Sequence, residues 1–237
     1  MHAPERTAQD LPAWIWAGLP PTMLALLVVA TLVAPGWIPA ITRSDHDPAG
    51  AGLAEHATVI VLIPGIAAGF AAFGARRRLP DRRLGWWILM WTLACVYFAG
   101  EEISWGQHLF GWRTPEVLQA LNRQHETNLH NVSSWFDRKP RAVVEIWILF
   151  AGLAVPLWRR LSGRAADASR AAYWLWPTMA AVPSAALFLL FRAHKWYAEA
   201  SGRQIVVWLS ESEVREYYVA VFLSVYLASI WWRLRRA

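Results

Sequence analysis

Six apolar runs recur along this chain, at about 16–38, 56–75, 84–104, 142–158, 171–191 and 214–232, with short charged segments between them. Each is close to the length of about 20 residues that carries a helix across a bilayer. A soluble domain with one core has no use for so many, because it buries apolar stripes rather than whole runs. The expected fold is therefore all-α: about six transmembrane helices forming a single integral membrane domain over 1–237, with an interfacial amphipathic segment at 105–140 between spans three and four. Composition agrees, since 56% of the 237 residues are hydrophobic and 17 are tryptophan. The one cysteine, Cys95, excludes an intrachain disulfide or a cysteine metal cluster.

The net charge of +6 does not point to nucleic acid, because no basic helix or aromatic-and-basic strand of the recognition modules is present. Arginines at the ends of apolar runs account for it. Arg76-Arg77-Arg78 with Arg82-Arg83, Arg159-Arg160 with Arg164, and Arg233 with Arg235-Arg236 form three basic segments that the positive-inside bias assigns to the cytoplasm, together with both termini. The expected location is the bacterial inner membrane, with membrane lipids as the surrounding partners and no protein partner indicated. The first run is too long for a cleaved signal peptide and is expected to remain as a span. Pro177 and Pro183 are expected to kink span five. His194, Lys195, Tyr197 and Glu199 are expected in the connection after it, followed by 205–209, apolar but too short to cross.

The chemistry gathers on the opposite face. Apart from Glu5, Asp10, Asp81 and Asp167, all 17 acidic residues fall there, as does every histidine except His2. Glu101 and Glu102 arrive at the end of the third run, where charged groups are costly and mark a site by default. Two neighbouring carboxylates at the negative end of a helix dipole call for a metal, an arginine partner or an acid–base role. Glu126 and His130 are spaced i and i+4, which on a helix brings carboxylate and imidazole within reach of one ion. His194 is a further candidate ligand. In Ser210-Glu211-Ser212-Glu213, the Ser210/Glu213 pair has the spacing of a capping box, which assigns Glu213 to the helix start and leaves Glu216 as the acid facing a site. Arg113, Arg123, Arg138 and Arg141 are candidates for an anionic headgroup, since guanidinium suits bidentate phosphate contacts.

Gly100-Glu101-Glu102-Ile103-Ser104-Trp105-Gly106-Gln107, Thr114-Pro115-Glu116 and Asn128-Leu129-His130-Asn131 together resemble the signature of a group of uncharacterised bacterial multi-pass membrane proteins. The resemblance covers about the middle seventh of the chain and implies a fold but no activity. Where that group carries arginine or lysine after Trp-Gly-Gln, this chain has His108, which argues against His108 as a ligand. The Ser104/His108 spacing is shared with alkaline ceramidase-like hydrolases, but no histidine follows His194, so the paired histidines of their last span are missing.

These features lead to two expectations. One is a membrane enzyme, a metal-dependent hydrolase or transferase acting on a lipid or lipid-linked substrate at the outer surface. Its catalytic carboxylates would be Glu101, Glu102 and Glu216, with Glu126, His130 and His194 holding a divalent metal. The other is a transporter or assembly partner using the same carboxylates and arginines as ion pairs or a proton relay. A di-iron centre is disfavoured because Glu-x-x-His does not occur on two helices.

Overall fold

The computed structural model describes residues 10–44, 50–116, 119, 127, 134–163 and 167–237. Six helices in it are long and apolar enough to cross a membrane: α1 (Trp14–Val33), α2 (Leu53–Gly74), α3 (Arg83–Glu102), α4 (Lys139–Leu161), α5 (Ala171–Ser201) and α6 (Ser212–Arg236). No strand occurs among the described residues. The chain is an all-α, six-span, multi-pass membrane protein.

The bundle is built around its last helix. Within α6, 78% of the apolar window is buried by protein, against 22–44% in the other five. Lipid tails are as apolar as leucine, so helices in a bilayer associate through close packing rather than hydrophobic transfer. Gly65 and Gly69, four apart on α2, provide that closeness: Gly65 lies against the backbone of Ser224 on α6, and Gly69 against Thr92 on α3. Gly152 on α4 likewise accepts the Phe222 ring of α6. Leu32, Val33, Ile60 and Ile146, on the outer helices, face away from the protein, as lipid-facing side chains do.

Several tryptophans fill the interior rather than the membrane interfaces. The Trp147 ring stacks on Trp91 at 5.6 Å and on Trp176 at 5.4 Å, tying α3, α4 and α5 together. Trp87 donates to the Tyr226 hydroxyl at 2.8 Å, and that hydroxyl donates to the Leu175 carbonyl at 2.7 Å. Trp14 and Trp37, by contrast, are exposed at the ends of the first span, as belt residues are.

Span five departs from expectation in two ways. The break falls at Trp176, which is extended before Pro177, and the helix restarts at Val182. Pro183 sits in the first turn of the restarted helix, where a missing N–H costs nothing, so it causes no kink. The helix then continues to Ser201, ended by Gly202 at φ +67. His194, Lys195, Tyr197 and Glu199 are thus helical rather than in a connection. The apolar stretch that follows folds into a 3₁₀ turn, Val207–Ser210, pinned by Trp208 donating to Thr31 Oγ1 at 2.8 Å.

Both described chain ends meet at one end of the bundle. Asp10 accepts from Ser229 Oγ at 2.7 Å and from the Thr178 hydroxyl, and Arg233 lies one turn beyond Ser229. Arg233 is almost fully buried: Nε donates to the Ser229 carbonyl, Nη1 to the Tyr173 carbonyl at 2.7 Å, and the guanidinium lies over the Tyr173 ring. Arg233→Met is expected to lower stability in detergent by about 1–3 kcal/mol, because the Tyr173 carbonyl loses its donor. A thermal unfolding curve checks this, with Arg233→Lys falling between the two.

Candidate functional site

Helix α3 ends at Glu102 because the chain then turns into left-handed conformations that favour glycine. Ser104 and Trp105 have φ of +44 and +54, and Gly106 has +84. Such residues are strained, and they persist where their surroundings hold them. Gly100 is what allows it: a Cβ there would lie 2.9 Å from the Trp105 ring, which folds back over the helix end. Trp105 Nε1 donates to Glu101 Oε1 at 2.8 Å, and Glu101 is buried. The Gly-Glu-Glu-Ile-Ser-Trp-Gly run is therefore a helix terminator that turns its first glutamate onto Trp105 and its second toward the bundle axis.

On that side Glu102 meets α6. One carboxylate oxygen from each of Glu102, Glu213 and Glu216 lies within 4.8 Å of the others. Glu102 Oε2 is sealed from solvent and accepts no hydrogen bond. Glu55, near the start of α2, adds a fourth acid to this neighbourhood. Helix α6 brings Glu213 and Glu216 together because they are three residues apart on one face, and its central place puts that face inside the bundle.

A rim of cations adjoins the acids. Arg141, at the start of α4, pairs with Glu216. Arg192 of α5 pairs with Glu145 of α4 at 3.2 Å and lies over the Trp196 ring. Arg215 of α6 is 5% exposed and donates Nη1 to the Ser210 carbonyl at 3.2 Å. A cleft lined by Arg141, Glu145, Phe188, Arg215, Glu216 and Val219 opens beside the carboxylates.

Of the residues expected from sequence, Glu102, Glu216 and Arg141 come together here. Glu101 is turned to Trp105 instead, and Arg113 is exposed. His194 is buried, with Nε2 accepting from the Val206 N–H at 3.4 Å and Nδ1 3.1 Å from the Ser210 hydroxyl. Its ring holds the segment leading into α6. Glu126, His130 and Arg123 lie outside the described residues, as does the Arg138 side chain.

The expected capping box does not form. The N-cap of α6 is Glu211, with no side-chain cap, because the Ser210 hydroxyl is engaged by His194. Glu213 stands in the first turn of α6 with its carboxylate beside those of Glu102 and Glu216. Sequence reading also passed over Glu145, Arg192 and Arg215. The first two lay in or at the edge of apolar runs, where a charge is itself a signal; Arg215 carried none until α6 proved central.

Comparison with protein families, curated proteins and solved structures finds no match, so the site is read from its own geometry.

Proposed function

We propose that Glu102, Glu213 and Glu216 hold a divalent cation, and that the protein is a metal-dependent hydrolase or transferase acting on a lipid or lipid-linked substrate at the outer membrane surface. The observation that carries this reading is the approach of three carboxylate oxygens within 4.8 Å, one of them from Glu102, whose Oε2 is buried and accepts no hydrogen bond. Oxygens bound to one hard cation at about 2.1–2.5 Å fall within such a span of each other. An oxygen-only donor set suits magnesium, manganese or calcium better than zinc.

Bound there, the cation would polarise an ester oxygen or activate water. The chain's own groups supply the rest. Arg141 fixes the Glu216 carboxylate, while Trp105 holds Glu101 at the helix end beside Glu102. The exposed tryptophans and phenylalanine near the turn, Trp105, Phe110 and Trp112, suit contact with lipid. We place both termini in the cytoplasm of a bacterial cell, supported by the basic turns at the end of the bundle opposite the carboxylates.

Elemental analysis of detergent-purified protein tests the reading. Near-stoichiometric divalent metal is expected in the parent, strongly reduced in Glu102→Gln and retained in His194→Gln. A folded parent with no metal after dialysis against magnesium, manganese and calcium would refute it, leaving the Arg141–Glu216 and Arg192–Glu145 pairs as a non-enzymatic scaffold.

A further inference from the structure

The turn between α2 and α3 carries five arginines, Arg76, Arg77, Arg78, Arg82 and Arg83, against a single acid, Asp81. Asp81 is engaged locally, accepting from the Arg83 backbone N–H at 2.8 Å where α3 begins. None of the five arginines forms an ion pair among the described residues. Four of them are exposed, but Arg76 is half-buried and built into the fold. Its aliphatic chain lies against Gly85 of α3, where a Cβ would come within 2.7 Å of Arg76 Cβ. Nη1 donates to the Phe73 carbonyl at 3.1 Å, and the guanidinium sits over the Phe73 ring, 4.3 Å from its centre. These contacts fix the group while using one of its five donors. The others meet no acceptor among the described residues.

What lies beneath the guanidinium indicates the partner. Phe73 packs against Trp86 of α3, their ring centres 5.4 Å apart. Phe70, one turn before Phe73, and Met90, one turn after Trp86, continue the same two helix faces toward the middle of the bilayer. Phe70, Trp86 and Met90 are 46%, 63% and 47% exposed, so the protein leaves this strip to lipid tails. A soluble anion would use the arginines alone. A lipid with a negative headgroup uses both parts of the surface.

We infer that the α2–α3 turn binds an anionic phospholipid of the adjoining leaflet, with its phosphate on Arg76 and an acyl chain along Phe70, Trp86 and Met90. The planar fork of arginine matches two phosphate oxygens. Five arginines to one acid favour a headgroup of net negative charge over a zwitterionic one. The site goes beyond the proposed function and is independent of it, because the turn lies at the end of α2 remote from Glu55 and no metal takes part.

Native mass spectrometry of the full chain in detergent, titrated with dioleoyl phosphatidylglycerol or with dioleoyl phosphatidylcholine, tests the inference. The two lipids share their tails and differ in headgroup charge. The parent is expected to bind one phosphatidylglycerol more tightly than phosphatidylcholine, and Arg76→Gln to lose roughly tenfold in affinity for the anionic lipid. Trp86→Ala, which removes an exposed ring and keeps the cation, is expected to weaken both lipids. Arg160→Gln takes one charge from the second basic segment and is expected to match the parent. Equal affinity of the parent for the two lipids overturns the site, as does unchanged phosphatidylglycerol binding in Arg76→Gln or in Trp86→Ala. A loss in Arg160→Gln as large as that in Arg76→Gln overturns it too, since the lipid would then be drawn to a diffuse basic surface. Should Arg76→Gln fail to fold, Trp86→Ala and Arg160→Gln decide the matter.

Discussion

Glu213→Gln is expected to raise the thermal stability of the metal-free protein while removing its ability to bind a divalent cation. Two physical roles for this side chain predict opposite signs. As an acid in the first turn of α6, Glu213 complements the helix dipole, and neutralising it costs about 0.3–1 kcal/mol. As one of three carboxylates with oxygens within 4.8 Å, it repels Glu102 and Glu216. At an effective dielectric near 20, two unit charges at that distance repel by roughly 3 kcal/mol. Repulsion therefore outweighs the dipole, and the variant melts later, by several degrees for a protein of this size.

Added magnesium or manganese reverses the order. A ligand that binds only the folded state stabilises it by about 2.7 kcal/mol at a hundredfold excess over its Kd. The parent is expected to gain this and Glu213→Gln to gain almost none, so the two curves cross as metal is titrated. A variant that melts earlier than the parent in chelator, and responds to metal as the parent does, would return Glu213 to a role at the helix start.

The reversal at Glu213 also shows where the sequence was and was not legible. The six spans were readable because each apolar run is long, and the one-sided distribution of acids was readable because span order fixes which loops share a face. Within the site, Glu102, Glu216 and Arg141 were legible as charges at span ends. The arrangement was not. A capping box is a local pattern, and Ser210 satisfied it until His194, sixteen residues earlier, engaged its hydroxyl. Which of two adjacent glutamates faced the axis depended on the left-handed turn at Ser104 and Trp105, a conformation that neither residue type advertises. Above all, nothing local distinguishes α6 from the other spans. Its central position, which turns Glu213, Arg215 and Glu216 into interior residues, is a property of the whole bundle.

That central position makes the α2–α6 contact the most sensitive in the fold, and Gly65→Leu is expected to prevent stable assembly. A Cβ at residue 65 would lie 2.6 Å from Ser224 Cα and 2.9 Å from Ser224 Cβ. Real Cβ atoms do not approach backbone so closely, and here the obstacle is the main chain of α6 rather than the end of a flexible side chain. Ser224 is flanked by the buried Leu223 and Val225, so α6 cannot retreat from α2 without losing packing on its other sides. Overpacking of this kind costs about 1–3 kcal/mol when neighbours can shift, and more when they cannot. Alanine at the same position provides the graded case. It gains about 1 kcal/mol in helix propensity over glycine, yet its single methyl already meets Ser224, so Gly65→Ala is expected to melt earlier than the parent despite the better helix former. Gly74→Ala supplies the opposite sign on the same helix: nothing lies within 4 Å of a Cβ there, and the propensity gain stands alone. Thermal unfolding of the three variants in one detergent measures the contrast. The consequence reaches the site as well, because Glu55 stands on α2 ten residues before Gly65, about 15 Å along the helix. If α2 is forced away from α6, Glu55 moves relative to Glu213 and Glu216, and metal affinity is expected to fall in Gly65→Ala even though no ligand has been altered. Unchanged stability and unchanged metal affinity in Gly65→Ala would mean that α2 and α6 are not packed against each other at Ser224.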